Sequence, residues 1–174
     1  MINKKILFTC FSSLLLSNVA SAVTGTVNMD GSLTEQSCQV SADQLTRTIN
    51  ISTLTPERLI GAADNESVAS TNIDFDVTAC PPSTQNVGIR FDFSPNSSNP
   101  EYLNNSGNAE GVAFGITKID NTLITTGQQI DSTDLDAAQG NATVKAKLQA
   151  YRVGSDAPVE GDIASTATVT VITQ

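Results

Sequence analysis

Apolar and polar residues alternate along this chain in short runs, each closed by a turn-forming cluster. Ile73, Phe75, Val77 and Ala79 alternate into Cys80, where Pro81-Pro82 stops the run. Val87, Ile89, Phe91 and Phe93 alternate ahead of Pro95, and Val112, Phe114 and Ile116 form a further run. Val144, Ala146, Leu148 and Ala150 make another, with shorter segments at Ile49-x-Ile51 with Leu54 and at Leu123-Ile124. A repeat of two puts every second side chain on one face, so these runs predict half-buried β-strands. An Asn- and Ser-rich loop over 94–108 and an acidic loop from Asp131 to Gly140 separate them. The stretch 56–72 is the least strand-like, and Pro56-Glu57-Arg58-Leu59 predicts a helical turn. Seven or so short strands with no amphipathic helix between them predict one β-sandwich.

Both extremes of the chain carry the same pattern. Val27, Met29, Gly31 and Leu33 alternate ahead of Cys38, and Ala167, Val169, Val171 and Thr173 alternate to within a residue of Gln174. Chain ends usually fray for want of partners, so strand patterning at both ends is unexpected. A glycine on the apolar face of the first run weakens that strand, because it leaves nothing to pack. The tract looks shaped for insertion into a groove with a shallow floor.

Residues 1–22 have the layout of a secretory signal: Lys4 and Lys5, an apolar core from Ile6 to Leu16, and Ala20-Ser21-Ala22 as cleavage site. Cys10 lies inside that core and is expected to leave with it. Of nine basic residues the signal holds two, and of eighteen acidic residues none. The remaining 152 residues then carry seven basic and eighteen acidic groups, a net charge of −11. That charge argues against nucleic acid or an anionic membrane surface as a partner. Two cysteines remain, Cys38 and Cys80, and an even pair in an exported chain reads as a disulfide, with two free thiols or a metal pair as the rival.

The chain has no histidine, which removes the commonest general base and the commonest metal ligand together. Lys118, Lys145 and Lys147 lie on or near polar strand faces and suit solvent better than a Ser–Lys dyad. Asp131, Asp134 and Asp136 miss the spacing of a calcium loop, and no Glu follows at its twelfth position. Asn-x-Ser/Thr sequons at Asn50, Asn65, Asn96, Asn104 and Asn141 read as polar loop and strand residues in a bacterial export product, and as a glycosylated surface domain in a eukaryotic one. No catalytic residue, metal site or cofactor is expected.

The run from Gly25 to Leu33 followed by Cys38 resembles the N-terminal extension and first cysteine of chaperone–usher fimbrial subunits, above all the type-1 fimbrial major pilin. Cys80 closing the Ile73-x-Phe75-x-Val77 strand resembles the family's second cysteine, and Gly161 stands fourteenth from the terminus as the family's glycine does. The segments 146–151 and 167–174 resemble the family's last two strands. The resemblance implies an all-β, incomplete immunoglobulin-like sandwich, with a signal over 1–22, a donor-strand extension over 23–36 and a pilin domain over 37–174. It further implies a groove completed by a strand from another molecule, an established mode of strand addition. Val27, Met29, Gly31 and Leu33 would be the donated residues. Gly161, Val169, Val171, Thr173 and Gln174 would form the groove edge and the C-terminus held by a periplasmic chaperone. An outer-membrane usher and other pilin subunits would be the remaining partners, on a path through the periplasm to a fimbrium that supports adhesion at the cell surface. One departure stands: family members commonly carry a tyrosine next to last, and this chain has Thr173.

Two other roles fit a small β-domain: a minor adaptor or tip subunit, and a secreted receptor- or carbohydrate-binding module. Family tip adhesins place a lectin domain ahead of the pilin domain and lack a donor extension. A single domain with an extension fits a subunit that both gives and receives a strand.

Overall fold

The structure, a computed structural model, describes residues 37–45, 49 and 56–174. The expected signal, the extension over 23–36 and the strand residues Ile51 and Leu54 lie outside them. Ile49 is described; it lies outside regular structure and packs half-buried against the main core.

Among the described residues ten strands and two short helices follow in order: β1 Gln39–Val40, α1 Ala42–Leu45, α2 Pro56–Ile60, β2 Ser67–Asn72, β3 Phe75–Thr78, β4 Val87–Phe93, β5 Tyr102–Leu103, β6 Val112–Thr117, β7 Gln129–Asp131, β8 Ala142–Val144, β9 Lys147–Arg152 and β10 Ala167–Thr173. They form three antiparallel sheets, ordered β1-β3-β8, β10-β4-β7 and β2-β9-β6-β5. One core joins all three: Phe75, Val77 and Val144 from the first, Ile89, Phe91 and Ile130 from the second, Leu103 and Ile116 from the third. The Phe75 and Phe91 rings meet edge to face with centroids 5.9 Å apart, the geometry that aromatic quadrupoles favour.

β4, β6 and β10 lie where the alternation predicts strands, and α2 occupies the predicted helical turn. The run from Val144 to Ala150 is not one strand. β8 pairs with β3, whereas β9 pairs with β2 and β6, and the chain changes sheet at Lys145-Ala146. Its neighbour changes sheet at the same level, β2 giving way to β3 across Ile73-Asp74, and the Ile73 N–H donates to the Ala146 carbonyl at 3.0 Å. Ile73 and Ala146 are both buried, so the alternation runs through the bend without a break. Leu123 forms only an isolated bridge with Thr117, and β2, β5 and β7 arise in stretches where the pattern predicts no strand.

Cys38 and Cys80 form the disulfide, fastening the chain just ahead of β1 to the end of β3. It closes a loop with a sequence separation of 42, and such a cross-link stabilises by about 3–4.7 kcal/mol in the chain-entropy account. Gly140 presses against it with φ at +67°, and a Cβ there would stand 2.5 Å from the Cys80 oxygen. No other residue type fits that position. On the far side of β3, the Asp76 N–H donates to Gln44 Oε1 at 2.7 Å and Gln44 Nε2 donates to Asp76 Oδ2 at 3.3 Å. This pair of bonds holds α1 against the sheet.

Candidate functional site

β10 pairs with β4 along its whole length, from Ala167 opposite Phe93 to Thr173 opposite Val87. The pairing continues to Gln174, whose carbonyl accepts from the N–H groups of Gln85 and Asn86 at 2.6 and 3.1 Å and whose N–H donates to Asn86 at 3.0 Å. β4 covers one edge of β10. Among the described residues no strand pairs with the other. Such an edge presents a row of backbone donors and acceptors without ladder partners, which is a template for a further strand.

Beside β10 lies a partly open cavity of about 430 Å³. Ile73, Phe75, Phe91 and Ile116 line it, and these four are also among the most buried residues of the core. Leu103, Phe114 and Leu148 of the four-stranded sheet add a second apolar wall, while Leu45 and Ile49 contribute from the N-terminal side. The third wall is Ile163 to Ala167 with Val169. Among the described residues that line it, none is charged. The hydrophobic core thus continues into a space that an uncharged, apolar segment fits, with an open strand edge alongside.

The residues expected at the groove fall in different places. Val169 lines the cavity, and Val171 packs half-buried against the same core one register step along. Thr173 is exposed at the end of β10, and Gln174 is bound to the turn at 85–86. Gly161 lies outside the cavity, in the segment between β9 and β10. A Cβ on Gly161 would stand 2.7 Å from the Ala109 N, so this glycine lets its segment lie directly on the 108–109 backbone. Val27, Met29, Gly31 and Leu33 lie outside the described residues.

The Asn-rich loop, read from sequence only as a polar connection, buttresses the cavity. The N–H and hydroxyl of Ser106 both donate to the Ala164 carbonyl, at 2.8 and 3.0 Å, and the Ala164 N–H donates to Asn105 Oδ1 at 3.0 Å. Spacing along the sequence gives no hint of these contacts, which join segments nearly sixty residues apart.

The acidic loop is tied by its own carboxylates. Asp134 Oδ1 accepts from the Thr143 N–H at 2.8 Å and the Ser132 hydroxyl at 2.7 Å, and Lys145 Nζ lies 3.5 Å from Asp134 Oδ2. The Thr143 N–H first, then the Ser132 hydroxyl and Lys145, hold the Asp134 carboxyl below its ordinary range. Asp136 Oδ1 accepts from the N–H groups of Ala138 and Gln139. No cluster of potential metal ligands occurs among the described residues. On the outer face of the four-stranded sheet, Tyr102 and Tyr151 pack with ring centroids 5.1 Å apart, and burial, with Tyr102 and Glu101 adding, pushes the Tyr151 phenol up to about 12.

A three-sheet sandwich whose core opens beside an edge strand is the architecture of a pilin domain. A family model described as fimbrial protein matches residues 23–174, and the chain belongs to that family. It is a structural subunit of a fimbria, a surface appendage assembled from such subunits. Solved structures share the fold. One is a chaperone–usher pilus whose structure reveals the molecular basis of rod uncoiling, with TM-score 0.64, 16% identity, and coverage of 87% of this chain and 96% of that one. The P pilus rod subunit PapA gives TM-score 0.63 at 14% identity over 80% of this chain and all of its own. A Burkholderia pseudomallei antigen and type I fimbria protein gives TM-score 0.50 at 21% identity over 79% of this chain and 88% of its own.

Proposed function

We propose that the cavity beside β10 receives a β-strand from another subunit, and that residues 23–36 of this chain are donated in turn to the cavity of the next. The observation that carries this reading is the lining of the cavity by core residues, with Phe91 only 1% and Ile116 only 2% exposed, next to a strand edge that no described strand covers. In a donated strand Val27, Met29 and Leu33 would share one face with Gly31, and Asn28, Asp30 and Ser32 the other. Three such side chains, fully buried, contribute about 5–9 kcal/mol before the cost of ordering the strand. Ladder bonds along β10 add to this. Gly31 suits a point where the groove floor leaves no space for a Cβ.

In the periplasm a chaperone strand occupies the same groove before assembly, with Val169, Val171, Thr173 and the Gln174 terminus at its contact, and an outer-membrane usher passes subunits to the growing fimbria. The signal over 1–22 directs export. The polymer supports adhesion as a scaffold, and the chain performs no catalysis. The test is electrophoresis of purified surface fibres in SDS. Donor-strand assembly gives a ladder of this chain that collapses to monomer on heating; a monomer band without heating contradicts it.

A further inference from the structure

The wall of the cavity formed by Ile163 to Thr166 belongs to no strand. Backbone that lacks a ladder takes its position from whatever else it bonds, and here that is the loop 104–110. Asn105 is the centre of the contact. Its Oδ1 accepts from the Ala164 N–H at 3.0 Å and from the Gly107 N–H at 2.9 Å, while its Nδ2 donates to the Ala109 carbonyl at 3.0 Å. One half-buried amide thus folds the loop and grips the wall. Around it, Ser106 donates twice to Ala164, the Ser165 hydroxyl donates to the Asn104 carbonyl at 2.9 Å, and the Asp162 N–H donates to Asn108 Oδ1 at 2.7 Å. Gly107 makes the approach sterically possible, since a Cβ there would stand 1.9 Å from the Asp162 oxygen.

We propose that Asn105 is a positioning residue for strand insertion, which fixes the Ile163–Thr166 wall and thereby sets how long an inserted strand stays seated. This rests on the strand-insertion reading. Side chains of an inserted strand gain contact energy only against a wall that is already in place, because dispersion falls steeply with a gap of an ångström or less. A wall that must be ordered at insertion subtracts that cost from the lifetime of the complex. Asn105 touches no incoming residue itself; it acts through Ala164.

The experiment uses fibres of the full chain and follows loss of the SDS-resistant ladder at a fixed temperature just below collapse. Asn105→Ala is expected to hasten decay about tenfold, the factor carried by about 1.4 kcal/mol. Asn105→Asp keeps both acceptor bonds but sets a carboxylate oxygen where Nδ2 donated, against the Ala109 carbonyl, so its decay falls between those of the wild type and Asn105→Ala. Asn96→Ala removes a bond to the Ser98 N–H in the segment ahead of β5, away from the wall, and should decay at the wild-type rate. Gly107→Ala displaces the wall by a different route and should also hasten decay. Wild-type decay in Asn105→Ala overturns the proposal. So does wild-type decay in Gly107→Ala, even where Asn105→Ala fails to accumulate. Wild-type fibres that give no heat-sensitive ladder overturn the strand-insertion reading itself, a result distinguishable from either.

Discussion

Val169 of β10 stands directly opposite Phe91 of β4, and both line the cavity. Phe91 in turn meets Phe75 across the core. The site is therefore an unfinished part of the hydrophobic core and not a pocket added to a completed domain. A strand placed there would bury apolar surface and satisfy the β10 edge in one step.

A charge at Val169 should be poorly tolerated for this reason. Val169→Asp puts a carboxylate among described lining residues that carry no charge, where an unpaired ion costs several kcal/mol. Fibre yield, measured by immunoblot of sheared cells, should fall more than about tenfold, since 1.4 kcal/mol already accounts for that factor. Thr168→Lys on the exposed neighbour, opposite Asp92, should leave the yield near wild type.

Deletion of Val169 to Gln174 removes most of the β10–β4 ladder and the Gln174 bonds to the 85–86 turn. Subunit should then fail to accumulate in the periplasm. Deletion of Gln174 alone should be milder: the amides of Gln85 and Asn86 lose their acceptor, and their hydrogen exchange should quicken while the core amides keep theirs.

Alkaline pH should destabilise the subunit through Tyr151. Its phenol is raised to about 12 in the folded chain, from an ordinary value of 10.0, chiefly by burial. A folded-state value above the unfolded one favours the protonated fold, so the contribution is complete below pH 10 and is lost as pH rises towards 12. Tyr151→Phe should flatten denaturant midpoints across that window. With only two tyrosines in the chain, phenolate absorbance reads the transition directly.

At the acid end Asp134 acts with the opposite sign. Its carboxyl is held below the ordinary 3.8, so its contribution is present above that value and is lost as pH falls through the folded-state value. Asp134→Asn should weaken the loop at neutral pH and reduce the acid dependence below about pH 4. Backbone exchange at Thr143 is the sensitive probe, because its N–H donates to Asp134.

The fold was legible where apolar residues alternate along several positions, as in β4, whose apolar face is buried, and in β10, whose Val169 and Val171 are half-buried. It was not legible in β2, where Ser67, Ser70, Thr71 and Asn72 sit at a sheet edge and show no clean apolar face. β5 and β7 are too short to show a period. The sheet change at Lys145-Ala146 left no mark because Val144, Ala146, Leu148 and Ala150 keep their alternation on both sides of it. The terminal alternation predicted the strand that carries Val169, and only the family resemblance pointed to a groove beside it. Asn105 was not, since its partner Ala164 lies 59 residues away and neither belongs to a patterned run.

The central claim is that residues 23–36 fill the groove of a neighbouring copy, and Gly31 is its most direct test. Fibre yield should be compared between the wild type and Gly31→Phe, with periplasmic subunit measured in the same cells. The account predicts that Gly31→Phe accumulates as soluble, disulfide-bonded subunit and yields no SDS-resistant ladder. A normal ladder from Gly31→Phe would contradict it.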